Sequence, residues 1–199
     1  MDKKTIKAYD KFAEHYANHT FEIIPQYNLY QFINFLKGRN VLDVGCGSGR
    51  DIKYLVEEGF NVIGIDASEN MVRQAKKNAK KGRFMVMDIE AKLGFADESV
   101  DGIWCCDSLT HVQKKNIQKV IKEFYRVLKK DGVLFVSVRE GEYDNLKIMN
   151  ELGMEKVHVS EFTQPEIESL LLNSEFELLA TQFESSQQAT WINVFARKN

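Results

Sequence analysis

The sequence predicts an α/β fold in which helices cover both faces of a mostly parallel β-sheet. Apolar runs at residues 41–45 and 62–66 are short, rich in β-branched residues and nearly unbroken, as is typical of parallel strands buried on both faces. Each run is followed by a segment whose apolar residues recur at helical spacing. This alternation of strand and helix implies right-handed crossovers within one sheet.

Composition and charge narrow the class of protein. The chain has 199 residues, of which 44% are hydrophobic and 28% charged, as expected for one ordinary globular domain. A net charge of −2 offers no basic field for a phosphate backbone, so no nucleic-acid partner is expected. Three cysteines without CxxC spacing, and no signal-peptide pattern, predict a cytoplasmic protein. No apolar run approaches the roughly 18 residues of a membrane span, and the oligomeric state stays open.

The first 38 residues predict two helices ahead of the sheet. Apolar residues recur every three or four positions in the segment 3–19, which predicts one amphipathic helix. Pro25 begins a second helix, which ends before Gly38. We interpret residues 1–38 as a helical cap and residues 39–199 as the core of a single domain.

Five strands and three long helices are expected next. The strands are predicted at residues 41–45, 62–66, 84–87, 100–106 and 133–138. Helices are predicted from the glycine-rich turn to about Glu58, up to Lys80, and from about Gln113 to Lys129. Ser68 is well placed to cap the second of these helices.

The last third of the chain has a different character. Residues 139–163 show weak periodicity and are expected to be irregular, apart from a short extended piece at 156–159. Pro165 begins a short helix. Strands at 176–183 and 190–196, joined by a polar turn at residues 184–189, predict an antiparallel hairpin at the edge of the sheet.

The motif with most chemical content follows the first strand. Asp43-Val-Gly-Cys-Gly-Ser-Gly49 places three glycines at alternate positions. Glycine lets the backbone turn sharply and lets a ligand approach it without a Cβ in the way. A dinucleotide fingerprint would require glycine where Arg50 stands, and the Gly-Lys-Ser/Thr ending of a phosphate loop is absent. The spacing therefore favours another nucleotide-like ligand.

The other parallel strands deliver polar groups to the same edge, where ligands bind in open α/β sheets. Asp66 ends the second strand, and its carboxylate can accept hydrogen bonds from both ribose hydroxyls. Asp88 follows the third strand and can accept from the exocyclic amine of adenine, while Ile89 offers a backbone N–H to the ring. The carbonyl groups around Cys105, at the end of the fourth strand, can meet an ammonium group.

The motif from Asp43 to Gly49 resembles the first motif of class I S-adenosylmethionine-dependent methyltransferases. Asp66-Ala67-Ser68-x-x-Met71 resembles the second, and Asp88-Ile89 the third. The resemblance extends over about residues 9–197. It implies a Rossmann-like sheet of seven strands in the order 3-2-1-4-5-7-6, with the last strand antiparallel.

The resemblance implies S-adenosylmethionine as cofactor and S-adenosylhomocysteine as product. By family analogy Arg50 either reaches the methionine carboxylate or forms a structural salt bridge, and Asp43 more often supports the loop than touches the ligand. Ala67 and Met71 would pack on the adenine. The expected cofactor-binding residues are Tyr9, Asp43, Gly45, Cys46, Gly47, Arg50, Asp66, Ala67, Met71, Asp88, Ile89 and Cys105.

Two residues are candidates for a catalytic role. The segment Tyr9-Asp-x-x-Ala13-x-x-Tyr16 resembles the helix that covers the cofactor pocket of small-molecule methyltransferases, although a core-facing aromatic stripe is the alternative. Tyr16 would position or cover the acceptor, and His111, just after the fourth strand, would act as general base. The sulfonium sulfur leaves uncharged, so the reaction needs alignment and exclusion of water rather than a metal, and no metal site is expected.

The identity of the acceptor is harder to predict. The fourth motif reads Cys106-Asp-Ser-Leu109 instead of Asn/Asp-Pro-Pro-Tyr/Phe, which disfavours methylation of adenine or glutamine amino groups. The near-neutral charge favours a small-molecule acceptor. A non-catalytic cofactor-binding or partner-binding protein and a nicotinamide-dependent oxidoreductase are the alternatives. Candidate acceptor-lining residues are Arg139, Tyr143, His158, Phe162 and Trp191.

Overall fold

The computed structural model describes residues 1–186 and 189–199. Its strands are β1 (Asn40–Val44), β2 (Asn61–Asp66), β3 (Arg83–Val86), β4 (Val100–Cys106), β5 (Leu128–Arg139), β6 (Asp144–Met149), β7 (Glu155–Ser160), β8 (Phe176–Ser185) and β9 (Thr190–Lys198). Seven of them form one sheet in the order β3-β2-β1-β4-β5-β9-β8. Strands β1 to β5 pair in parallel, while β9 is antiparallel to both of its neighbours. The predicted fold class and strand order are confirmed.

Helices cover both faces of this sheet. They are α1 (Lys3–Lys11), α2 (Ala13–Thr20), α3 (Gln26–Phe35), α4 (Arg50–Glu57), α5 (Glu69–Asn78), α6 (Lys114–Val127) and α7 (Gln164–Leu172). Helices α6 and α7 bury their apolar residues on one face, and α3, α4 and α5 on the other. On the second face Trp104 stacks on Phe135, with 3.9 Å between ring centroids. These two layers fix the strand ends on which the site is built.

The N-terminal segment forms two helices where one was predicted. Phe12 separates them because its φ of −109° and ψ of 19° lie outside the helical region, although its N–H still donates to the Ala8 carbonyl at 3.0 Å. Its ring packs against Gly153, which follows β6. Helices α1 and α2 pack against α5 and the β6–β7 pair, whereas α3 buries Leu29 and Phe32 against the sheet. Within the segment 1–38, α1 and α2 thus form a cover over the strand ends, whereas α3 is part of the core on the sheet.

The segment predicted to be irregular contains a second, two-stranded sheet. β6 and β7 pair antiparallel from Asp144 opposite Ser160 to Met149 opposite Glu155. Val157 and Val159 of β7 are fully buried, while most of β6 is exposed. Since Met149 is the one buried residue of β6, the sequence of this strand lacks the alternation that marks a half-buried strand, and only part of β7 was predicted.

Two boundaries differ from the prediction for identifiable reasons. Helix α6 ends at Val127 because Leu128 is already extended, with φ −67° and ψ 138°, and begins β5. A bulge between Val100 and Gly102 lets this early part of β5 pair with β4. The hairpin of β8 and β9 is present. Residues 187 and 188 of its predicted turn lie outside the described residues.

Candidate functional site

A cleft opens at the carboxyl ends of β1, β2 and β4, next to α1 and α2. The space between its atoms is about 620 Å³, part of which is open to solvent. Eight of the predicted site residues line it: Tyr9, Tyr16, Gly45, Gly47, Asp66, Ala67, Ile89 and His111. Six further lining residues are Met1, Ile65, Met87, Cys106, Asp107 and Ser108.

The glycine loop forms the floor of the cleft. Gly45, Gly47 and Gly49 have φ of +71°, +51° and +79°, a region that side chains other than glycine rarely adopt. A Cβ on Gly45 would collide with Ser108, whereas a Cβ on Gly47 would meet no atom within 4 Å. Gly45 N–H donates to the carbonyl oxygen of Ile65 at 2.8 Å, which ties the loop to the end of β2. The space above Gly47 is therefore free for a ligand.

Asp66 holds the glycine loop from the adjacent strand. Its Oδ2 accepts the Gly47 N–H at 3.0 Å and its Oδ1 accepts the Ser68 N–H at 2.8 Å. Burial raises the pKa of Asp66 to about 6, although the hydrogen bonds from Ser68 and Gly47 act to lower it. A carboxylate has about four acceptor positions, so two remain for a ligand with paired hydroxyl groups.

Arg50 forms a salt bridge below the cleft, which was one of its two predicted roles. Its Nε lies 2.6 Å from Asp51 Oδ1 and its Nη2 lies 2.9 Å from Asp51 Oδ2. The indole N–H of Trp104 donates to the same Oδ2 at 2.8 Å. This network is buried beside the loop, and Arg50 does not line the cleft.

Asp43 lies under the glycine loop with an unsatisfied oxygen. The residue is 3% exposed, and its Oδ2 has no hydrogen-bond partner in the part of the chain that the structure describes. Burial, and then the charge of Asp51, raise the pKa of Asp43 well above its ordinary value. A buried acceptor without a partner is rare, so this oxygen fits a donor that arrives with a ligand or a water.

Four other predicted cofactor residues do not line the cleft. Asp88 accepts from the α-ammonium group of Met1 at 2.7 Å, and the neighbouring Ile89 lines the cleft instead. Met71, Cys46 and Cys105 are buried in the core. Burial raises the pKa of both thiols, so these cysteines are neutral packing groups.

On the other side of the cleft, a chain of hydrogen bonds fixes the tautomer of His111. Its Nδ1 lies 2.8 Å from the carbonyl oxygen of His158. A carbonyl oxygen can only accept, so Nδ1 carries the proton and Nε2 is the accepting nitrogen. The Tyr9 hydroxyl, 2.8 Å from Nε2, therefore donates to it. Burial lowers the pKa of His111, which keeps the imidazole neutral at pH 7.

Tyr16 and Asp107 complete this side. The Tyr16 and Tyr9 rings meet edge to face, with centroids 5.3 Å apart. Burial raises the pKa of Tyr16 to about 12, and Asp107 adds to the shift. Asp107 follows β4 directly, with φ +52°, and lies 3.5 Å from Arg139 Nη2. Its place at a strand end is the signal that could have identified it as a lining residue.

The other candidates for acceptor binding have different surroundings. The Tyr143 hydroxyl donates to the Leu146 carbonyl on the exposed β6. Phe162 is 1% exposed within the main core. His158 turns its imidazole toward Ser160 and contributes its carbonyl oxygen to the site. Across residues 1–186 and 189–199 there is no group of three or more His, Cys, Asp or Glu that could hold a metal, and no helix could span a membrane.

Comparison with known proteins finds similarity to methyltransferases. Residues 42–136 match the family model described as a methyltransferase domain. The putative methyltransferase YqeM of Bacillus subtilis is 37% identical over 106 residues, which make up 51% of this chain and 42% of that protein. The chain spans about half the length of the first curated relatives that it matches.

Solved structures share the fold over most of the chain. A S-adenosylmethionine-dependent methyltransferase from Methanosarcina mazei superposes with a TM-score of 0.75 and 25% identity, and the match covers 84% of this chain and 96% of that one. The 1,6-didemethyltoxoflavin-N1-methyltransferase of Burkholderia thailandensis, solved with bound 1,6-didemethyltoxoflavin and S-adenosylhomocysteine, has a TM-score of 0.68 and 23% identity. That match covers 98% of this chain and 88% of the other.

Proposed function

We propose that the chain is a class I S-adenosylmethionine-dependent methyltransferase that transfers a methyl group to a small-molecule acceptor. The observation that carries the proposal is the pairing of two arrangements across one cleft. On one side Asp66 and the glycine loop present acceptors and bare backbone. On the other, Tyr9 and a neutral His111 face the same space.

We assign the cofactor to the half of the cleft between β1 and β2. Asp66 would hold the ribose hydroxyl groups with its free acceptor positions, and the backbone at Gly47 would lie against the ligand. Ile65, Met87 and Ile89 give the apolar surface that an adenine ring needs. The unsatisfied Oδ2 of Asp43 under the loop also fits a ligand that brings a donor.

The cofactor, when bound, supplies an electrophilic methyl group on a sulfonium sulfur that leaves uncharged. The protein must then align the acceptor, exclude water and take any proton that the acceptor loses. His111 is equipped for the last task, since its Nε2 is unprotonated and its Nδ1–H is fixed on the His158 carbonyl. Tyr9 also lines the cleft and its hydroxyl donates to Nε2, so it can pass a proton on to His111.

A small acceptor is favoured by the cover over the site. Helices α1 and α2 and the β6–β7 pair close one side of the cleft, with Tyr9, Phe12 and Tyr16 packed against Leu152 and its buried neighbours. These contacts support a single methyltransferase domain made of the N-terminal segment and the core.

The three free cysteines fit a reducing compartment, and we place the protein in the cytoplasm.

The proposal is tested by measuring S-adenosylhomocysteine formed from S-adenosylmethionine with a panel of metabolites that carry hydroxyl, amine, thiol or carboxylate groups. We expect turnover with at least one member and none with a Tyr9→Phe, His111→Ala double variant. Binding of the cofactor without turnover on any member would support a non-catalytic binding protein. An oxidoreductase would be supported if calorimetry detected binding of a nicotinamide dinucleotide but no binding of S-adenosylhomocysteine.

A further inference from the structure

Arg139 is a largely buried cation whose donors are poorly satisfied. Its side chain is 16% exposed, and its Nε is buried without a hydrogen-bond partner among residues 1–186 and 189–199. Its Nη2 lies 3.5 Å from Asp107 Oδ2, and its Nη1 lies 3.9 Å from the sulfur of Met149. Charge-assisted guanidinium–carboxylate hydrogen bonds are usually about 2.7–2.9 Å long. Arg139 therefore keeps spare donors in a place where water is scarce.

Two other arginines of the chain have close partners for the donors of their guanidinium groups. Arg50 makes two contacts to Asp51 at 2.6 and 2.9 Å. Arg126 donates to Glu123, Asp97 and two backbone carbonyl groups at distances of 2.6 to 3.1 Å. Arg197 Nε is also buried without a partner among the described residues, but Arg139 differs from it in lying 3.5 Å from Asp107, a residue that lines the cleft.

Arg139 does not itself line the cleft, but it lies next to a residue on the acceptor side that does. It is the last residue of β5, at the carboxyl edge of the sheet, and its ion-pair partner Asp107 lines the cleft. Burial raises the pKa of Tyr9 well above its ordinary value, and the charge of Arg139 opposes that shift. Arg139 acts in the same sense on Tyr16. The guanidinium is thus within electrostatic reach of both tyrosines that line the site.

The charges around Arg139 set the class of ligand. Asp107 is a single carboxylate at a long distance, so the guanidinium can accept one more negative charge beside it. A second charge on the ligand would be repelled by Asp107. A planar carboxylate also matches the two parallel donors of a guanidinium. These features favour a monoanionic carboxylate over a phosphate dianion.

We propose that the methyl acceptor carries a carboxylate group and that Arg139 binds this group beside Asp107. The inference rests on the proposed methyltransferase function, because it places the carboxylate in the acceptor half of that same cleft. Arg139 then acts as the residue that selects acidic acceptors and orients them toward Tyr9 and Tyr16.

The test measures binding to the S-adenosylhomocysteine complex of the full chain by calorimetry. The probes are acetate, propionate, benzoate and phenylacetate, each paired with its uncharged amide, together with methyl phosphate. We expect at least one carboxylate to bind about tenfold or more tightly than its amide, as for hydrogen bonds to a charged group. Arg139→Gln should remove this preference and leave S-adenosylhomocysteine affinity unchanged. Arg73→Gln, which removes an exposed charge on α5, is the matched control and should keep the preference.

Each other outcome has a defined meaning. If no carboxylate binds more tightly than its amide, or if Arg139→Gln keeps the preference, the proposal is wrong and Arg139 is only a structural partner of Asp107. Stronger binding of methyl phosphate would overturn the choice of carboxylate. If Arg139→Gln does not fold, Arg139→Met decides, because it removes the charge and keeps a long unbranched side chain, so an unchanged preference overturns the proposal. If the wild-type chain does not bind S-adenosylhomocysteine, the proposed function itself is refuted.

Discussion

Replacing Asp66 by alanine tests the cofactor half of the site. The carboxylate accepts from Gly47 and Ser68, and in the proposed complex it also accepts from the ribose hydroxyl groups. A hydrogen bond to a charged group is worth about 1.5–3 kcal/mol, so Asp66→Ala should weaken S-adenosylhomocysteine binding by about 10- to 150-fold. Calorimetric titration of wild type and variant measures this directly. Asp97→Ala is the matched control, since Asp97 is exposed and does not line the cleft, and it should bind normally.

The pH dependence gives a second, independent readout of Asp66. Its pKa is raised to about 6 by burial, against the lowering effect of the Ser68 and Gly47 N–H groups. Hydroxyl donors need the ionised carboxylate, so a proton competes with the cofactor for Asp66. Affinity should be constant above about pH 7 and fall by up to about tenfold for each pH unit below about 6. Asp66→Asn cannot titrate and should give a flat profile. Unchanged affinity in Asp66→Ala would refute the assignment of the ribose to this residue.

Three further outcomes are expected. Tyr9→Phe should lower kcat by about 10²–10⁴-fold if the acceptor loses its proton through Tyr9 to His111. Calorimetry should show unchanged S-adenosylhomocysteine affinity. An unchanged kcat would contradict this proton transfer through Tyr9. Gly47→Ala should weaken cofactor binding and lower Tm only slightly, because the new Cβ enters open space in the cleft. Normal cofactor binding in this variant would place the ligand elsewhere. Arg50→Ala should lower the free energy of unfolding in urea by about 3–5 kcal/mol, since Asp51 is left buried without its cation, and the added Asp51→Asn change should restore part of it.

The cofactor half of the cleft is where the sequence was most informative. Parallel strands end at one edge, and this topology brings Gly47 and Asp66 together without any knowledge of side-chain packing. Arg50 shows the limit of the approach. Its sequence position allowed a ligand contact or a salt bridge, and the choice depended on Asp51, one residue later, being buried beside Trp104.

The acceptor half was less predictable because it is assembled from distant segments. Tyr9 reaches His111 across 102 positions of sequence, and this contact depends on how α1 packs on β7. β6 is mostly exposed and carries little periodicity, so the hairpin that supports this packing was not anticipated. Asp107 was visible as a strand-end residue, yet its pairing with Arg139 depends on the register of β4 and β5.

The two hydrogen bonds that fix the tautomer of His111 come from α1 and β7 and not from the seven-stranded sheet. The His158 carbonyl of β7 holds the Nδ1 proton of His111, and the His158 N–H donates to the Thr5 hydroxyl of α1 at 2.9 Å. Tyr9, on the same helix one turn further on, donates to the opposite nitrogen of the imidazole. A shift of α1 or β7 would therefore change both hydrogen bonds of His111 together. The segments that cover one side of the cleft thus also fix which nitrogen of His111 can accept a proton.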